Sequence, residues 1–296
     1  MKTLKITCFG EILWDIFPKH RKIGGAPLNV ALRLTSFDND VHIISRVGND
    51  SLGRSLLAFI EEKEVDIQNV QVDSNFDTGQ VNVILDNKGS ATYDIVFPIA
   101  WDHIKITEAN KALVASSDVF IFGSLIGRNL VSKHTLISLL DIAKYKVFDV
   151  NLRAPHYSKQ LLIALMNQAD FIKFNDEELF EISKYLGSKY NSIEQNLNYI
   201  SKHTNTKHIC VTKGKYGAVL LYNEALYYNS GYLVHVKDTV GAGDSFLATL
   251  INFLLKNENP QKAIDIACAV GALVAQNEGA NPDISAKDIE SFMYPY

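Results

Sequence analysis

Short apolar runs alternate with amphipathic stretches along most of this chain, and that alternation limits the fold more than any other feature. Ile6–Phe9, Val41–Val47, Val119–Phe122, Val147–Val150, Ala169–Phe174, His208–Thr212 and Ala218–Leu221 read as strands. The stretches 29–37, 53–63, 130–143, 177–186, 192–201, 244–255 and 260–275 carry helical periodicity between or after them. Near-continuous apolar strands joined through helices point to an α/β fold whose mainly parallel sheet is covered on both faces. Gly10-Glu11, Gly123-Ser124, Asn151 and Asn175 fall just past strand ends. In such sheets ligands bind at the carboxyl ends of strands, so a cleft is expected there.

Two segments break the rule. Residues 13–23 and 79–98 lack a crossover helix, and Val81, Val83 and Leu85 alternate with polar neighbours before Asn87-Lys88-Gly89. The pattern resumes over Ala91–Phe97, which reads as a hairpin. Either a small β lid projects from the main body or these are antiparallel edge strands of the main sheet.

With 296 residues, 47% hydrophobic and 21% charged, the chain can build a multilayered core as one large domain, 1–296, bearing that lid. The net charge of -4 and the absence of a basic run argue against nucleic acid as a partner. Cys8, Cys210 and Cys268 show no CxxC pairing and read as buried small residues. The first residues lack a signal-peptide core, and no stretch reaches membrane-spanning length. A cytoplasmic protein without a membrane partner is expected.

The chemistry concentrates in Asp238-Thr239-Val240-Gly241-Ala242-Gly243-Asp244, which runs directly into a helical stretch. Amides at a helix start have no intrahelical carbonyl and can hold an anion, and glycine lets that backbone approach a phosphate closely. An acid beside a phosphate is unfavourable unless it has a task, and Asp244 suits a general base facing an incoming hydroxyl. A Walker A loop and a Rossmann GxGxxG after the first strand are both absent.

Near the other end, Gly24-Gly25-Ala26-Pro27-Leu28-Asn29-Val30-Ala31 precedes a helix. Together with DTVGAGD, in this order, it resembles the signatures of the ribokinase-like sugar kinases, the PfkB carbohydrate kinase family. The resemblance runs from Gly10 to about Pro282. It implies a three-layer α/β/α ribokinase-like fold with a small β lid, and ATP-dependent phosphorylation of a sugar hydroxyl. Asp244 matches the catalytic base, and Gly241, Ala242 and Gly243 match the anion hole. Asp15, Gly25 and Asn29 match sugar contacts, with Asn82 and Tyr93 as candidates from the hairpin. Asn175 and Glu178 resemble an NxxE motif near Mg2+ and phosphate, with Glu178 acting on the metal directly or through water. Thr212, Gly214 and Gly217 resemble a nucleotide loop, and Asn277 stands where relatives line the adenine pocket. K+ dependence stays open, as does the choice between a monomer and a lid-mediated homodimer.

The GGAPLN form and Asp149-Val150-Asn151-Leu152-Arg153 resemble fructokinases and 2-keto-3-deoxygluconate kinases more than ribokinases. Arg153 offers fixed donors to substrate oxygens or caps structure locally, and Asp149 is either part of that motif or a structural carboxylate. D-Fructose going to fructose 6-phosphate is the expected reaction. A 2-keto-3-deoxygluconate kinase, another sugar or nucleoside kinase, and a non-catalytic sensor of the same fold are the alternatives.

Overall fold

The computed structural model describes residues 2–85, 91–204 and 206–295, with residues 85 and 91–93 described by backbone alone. Its strands are β1 (Lys5–Phe9), β2 (Leu13–Ile16), β3 (Arg21–Gly24), β4 (Asp40–Gly48), β5 (Val70–Asp73), β6 (Gly79–Leu85) and β7 (Ala91–Ile95). They continue with β8 (Val119–Gly123), β9 (Lys146–Asp149), β10 (Phe171–Asn175), β11 (His208–Thr212), β12 (Ala218–Tyr222) and β13 (Ala225–Asn229). The helices are α1 (Ala26–Thr35), α2 (Ser51–Glu62), α3 (Glu108–Ser116), α4 (Leu130–Leu140), α5 (Lys159–Gln168) and α6 (Asp176–Tyr185). After them come α7 (Ile193–Thr204), α8 (Ala242–Leu255), α9 (Pro260–Ala275) and α10 (Ala286–Met293).

The architecture is the expected three-layer α/β/α ribokinase-like fold with a small β lid. The main sheet has nine strands in the order β13-β12-β11-β10-β9-β8-β1-β4-β5. β9, β10 and β11 are mutually parallel, as are β1, β4 and β5, while β12 and β13 turn back antiparallel. The segments that lacked a crossover helix form a separate four-stranded sheet, β3-β2-β6-β7, and do not edge the main sheet. The turn expected at 87–89 lies outside the described residues.

The chain divides into two compact units, Met1–Leu4, Ile121–Leu125 and Tyr145–Tyr296 in one, Lys5–Phe120 and Ile126–Lys144 in the other. In the second, Phe9 and Phe120 meet at 5.9 Å between ring centroids, and the buried Thr7 and Ser117 hydroxyls share a 2.8 Å hydrogen bond. In the first, Phe122 stacks on Phe148 at 5.1 Å, under strands whose apolar side chains are buried. Such strands read as continuous apolar runs because both faces are covered.

Helix starts follow local capping chemistry. The Asp50 carboxylate accepts the Gly53 N–H, Thr107 accepts from Asn110, and Ser158 accepts from Leu161. Among the described residues no helix is long and apolar enough to cross a membrane, and the three cysteines are buried and free.

Candidate functional site

In the unit containing residues 145–296, the glycine turn delivers Asp244 to the first turn of α8. Gly241 caps the helix in the left-handed region, with φ +77, and a Cβ there would run into Ala280. Only glycine satisfies both demands. Asp238 fixes the turn from before: its carboxylate accepts the Val240 N–H at 3.0 Å and the Gly279 N–H at 3.1 Å. The Ala242 N–H donates to Thr239 O at 3.3 Å, so the turn already uses that member of the expected anion hole. The next positions, Gly243 and Asp244, carry the helix start onward, and Asp244 is half-buried.

Beside this helix start lies a cluster that sequence reasoning saw only in part. Lys173, in the middle of β10, points its ammonium to 3.4 Å from where a Cβ on Gly243 would stand. The same Nζ donates to Asp149 Oδ1 at 3.0 Å, with the two side chains 8% and 5% exposed. Burial works against the lysine's charge. Asp149, Glu178 and Asp244, with the Asp149 hydrogen bond, outweigh it and raise Lys173 above the ordinary lysine value. Asp149 Oδ2 is buried without a hydrogen-bond partner among the described residues. One signal for Lys173 was available: a lysine in the middle of FIKFN, a strand otherwise apolar enough to be buried.

Glu178 has a local structural task at the start of α6. Asn175 and Glu178 form a capping box at the start of α6. Asn175 Oδ1 accepts the Glu178 N–H, and Glu178 Oε2 accepts the Asn175 N–H, both at 2.8 Å. The other carboxylate oxygen accepts the Leu152 N–H at 2.8 Å, tying the Asp149–Arg153 stretch to the helix. Burial raises the Glu178 carboxyl, and Lys173 and these two amides partly offset it. Arg153 is exposed and its Nη1 donates to Leu152 O at 3.0 Å.

Thr212 pairs in register with Asn175 across β10 and β11, and its hydroxyl donates to Phe174 O at 3.3 Å. Gly214 takes φ +53 with open space around its missing Cβ. A Cβ on Gly217 would collide with Asn229 O, so that glycine serves a close backbone approach. Asn277 is exposed and its amide donates to Leu273 O at 2.8 Å, closing the end of α9.

The other unit holds the second set. A Cβ on Gly24 would meet Asp15 Oδ2, so the glycine makes room for the carboxylate. Gly25, at φ +112, would place a Cβ 2.5 Å from Glu11 O. It begins α1, whose buried Asn29 donates its N–H to Gly25 O at 2.9 Å. In the lid, Asp15 pairs with Val81 and Ile16 pairs with Asn82. Strand alternation therefore turns Asn82 to the face opposite Asp15, where its amide donates to Asp94 at 3.3 Å. The expectation that Asn82 joins Asp15 at the sugar does not fit this register. Tyr93 stands opposite Val83, and its side chain lies outside the described residues.

Comparison with known proteins bears on the chain and its fold as a whole. The family model for pfkB family carbohydrate kinases matches residues 8–287. A putative sugar kinase of Pyrococcus horikoshii is 29% identical, over 93% of this chain and 91% of that protein. Probable fructokinase-2 of Arabidopsis thaliana is 28% identical over 94% and 92%. The Pyrococcus kinase solved in complex with ATP superimposes with a TM-score of 0.81 at 26% identity, covering 93% of this chain and 94% of that one. A Vibrio cholerae fructokinase solved with fructose, ADP and a potassium ion shares the fold, with a TM-score of 0.85 at 24% identity over 99% and 100% of the two chains. Matched along nearly its whole length, the chain belongs to the pfkB family of carbohydrate kinases.

Proposed function

We propose that this sugar kinase transfers the γ-phosphoryl group of ATP to the 6-hydroxyl of D-fructose. The observation that carries the reading is Asp244 in the first turn of α8, immediately after the left-handed Gly241. A sugar hydroxyl is a poor nucleophile. Asp244 accepts its proton as the oxygen bonds to phosphorus, while the Gly243 end of the helix meets charge developing on the phosphoryl oxygens. Asp15, in the space that Gly24 leaves, accepts hydrogen bonds from sugar hydroxyls, and Gly25 and Asn29 complete that contact. Thr212, Gly214, Gly217 and Asn277 take the nucleotide.

Two carboxylates, those of Asp149 and Glu178, suit an Mg2+ held mainly by phosphate and water. Among the described residues no group of three or more His, Cys, Asp or Glu side chains could hold a metal ion. Mg2+ favours hard oxygen and commonly binds through one or two carboxylates, with phosphate and water completing its shell. The unpartnered Asp149 Oδ2 and the Glu178 carboxylate supply such oxygens. Each Glu178 oxygen already accepts one amide and keeps a second lone pair, which would hold the ion directly or through water. When bound, the ion neutralises polyphosphate charge.

Fructose as the substrate is supported by the GGAPLN and DVNLR stretches and by curated relatives named as fructokinases. Three free, buried cysteines suit the reducing cytoplasm, where we place the enzyme. The test is ADP release with Mg-ATP across fructose, ribose, 2-keto-3-deoxygluconate, tagatose 6-phosphate, fructose 1-phosphate and adenosine, with the product confirmed by mass. Strong preference for fructose is expected. Turnover of another member instead replaces the substrate and keeps the chemistry. No turnover of any member by folded protein, with potassium present, points to an untested substrate or to a non-catalytic sensor of the same fold.

A further inference from the structure

We infer that Lys173 is a positioning residue for phosphoryl transfer, the buried counter-ion that lets Asp149, Glu178 and Asp244 share one site with a polyphosphate. The inference rests on the kinase reading above and adds a residue that neither the signatures nor the comparisons assign.

The strand position calls for an apolar residue. Phe171, Ile172 and Phe174, its neighbours on β10, are fully buried. A lysine there gives up hydration of a charge that a methionine does not carry. A structural ion pair with Asp149 would account for one contact at 3.0 Å. It does not account for the ammonium standing 3.4 Å from the Cβ position of Gly243, at the start of the helix that carries the base. A cation at a helix N-terminus opposes the helix dipole. It is favourable here because carboxylates from β9, α6 and α8 surround it, and these same groups hold it charged.

The charge count decides what the ammonium does. Three carboxylates without it would present three negative charges to an incoming triphosphate. With it the cluster presents two, and the positive centre lies on the side of the helix start. Lys173 thus acts through the carboxylates and the electrostatics of α8, and the groups that meet the reacting atoms remain the Asp244 carboxylate and the backbone amides of the helix start.

The test compares binding of ADP and of adenosine by calorimetry, with and without Mg2+, in wild type, Lys173→Met and the double variant Lys173→Met/Asp149→Asn. Steady-state constants are taken with whichever sugar the wild type accepts. Lys173→Met is expected to weaken ADP by roughly tenfold or more, from one uncompensated charge at short range. Adenosine, which carries no phosphate, is expected to bind as in wild type. The double variant returns the cluster to its original net charge, so it recovers the melting temperature and, in the absence of Mg2+, where Asp149 has no ion to hold, most of the ADP affinity. Equal effects on ADP and adenosine, or no loss in Lys173→Met, overturn the inference. So does a double variant that melts like wild type yet binds ADP without Mg2+ as weakly as Lys173→Met, since Lys173 would then touch phosphate directly. A wild type that binds no ADP sinks the kinase reading and this inference with it, whereas turnover of a sugar other than fructose leaves the Lys173 test intact.

Discussion

An acid in the first turn of a helix is stabilised by the unpaired amides and the dipole around it, yet those same amides attract the phosphate that the acid would repel. At Asp244 the conflict is bearable because the carboxylate is half-buried in a cluster that holds its own cation, Lys173. Replacing Asp244 with Asn removes the proton acceptor while keeping shape and helix start. We expect kcat to fall about 10²–10⁴-fold with folding unchanged by circular dichroism. ADP affinity should hold or improve, because a negative charge beside the polyphosphate has gone. Near-wild-type turnover would remove the base assignment. The glycines around Asp244 and Asp15 were visible in the sequence, but their reasons were not. Gly24 is small because Asp15 Oδ2 occupies the space of its Cβ, and Gly241 because Ala280 does. Such reasons depend on atoms far away in sequence.

At the scale of elements, the buried strands were legible because two covered faces leave an unbroken apolar run, as in β8 and β11. α3 and α5 were not read: the first is short, and the second follows an irregular stretch holding Pro155. β13 escaped because its residues are mostly half-exposed, without a clean alternation. In the lid, the hairpin was legible but its register was not, and register alone decides that Asn82 and Asp15 lie on opposite faces. One joint between elements makes a pH-dependent prediction. Asp50 caps α2 through the Gly53 N–H at 2.7 Å and accepts the Thr78 N–H and hydroxyl, each at 2.8 Å, just before β6. Burial opposes its charge, but the hydrogen bonds from Thr78 and Gly53 outweigh it and hold the carboxyl below its ordinary value. The stabilisation is therefore complete above the unfolded value of about 3.9 and is lost as pH falls through the folded one. Asp50→Asn would turn an amide donor toward the Thr78 N–H. It should lose about 1–2 kcal/mol near neutral pH, with the gap from wild type narrowing below about pH 4 in chemical unfolding. A gap constant with pH would show that the carboxylate charge is not what Thr78 and Gly53 stabilise.

Over the whole molecule, buried ion pairs among the described residues include Lys173 with Asp149 in one compact unit and Arg128 with Asp102 in the other. The Arg128 pair is the more enclosed, its side chains 2% and 0% exposed. Arg128 Nε donates to Asp102 Oδ1 at 2.7 Å, and Nη2 donates to Asp102 Oδ2 at 2.8 Å and to Val96 O at 2.7 Å. The guanidinium lies 3.9 Å over the Trp101 ring and 5.0 Å over Phe97, so one residue fastens the chain where β7 ends. Asp102 also accepts the Ile99 N–H at 3.0 Å, which orients it for the arginine. Breaking such a pair from one side strands a buried charge, whereas removing both charges does not. Arg128→Met should therefore lower the unfolding free energy by about 3–5 kcal/mol in urea titrations. Asp102→Asn added to that background should recover a large part, since Asn keeps an acceptor for the Ile99 N–H without the charge. Equal stability of the single and double variants would place the contribution of Arg128 in its stacking between Trp101 and Phe97, not in the ion pair.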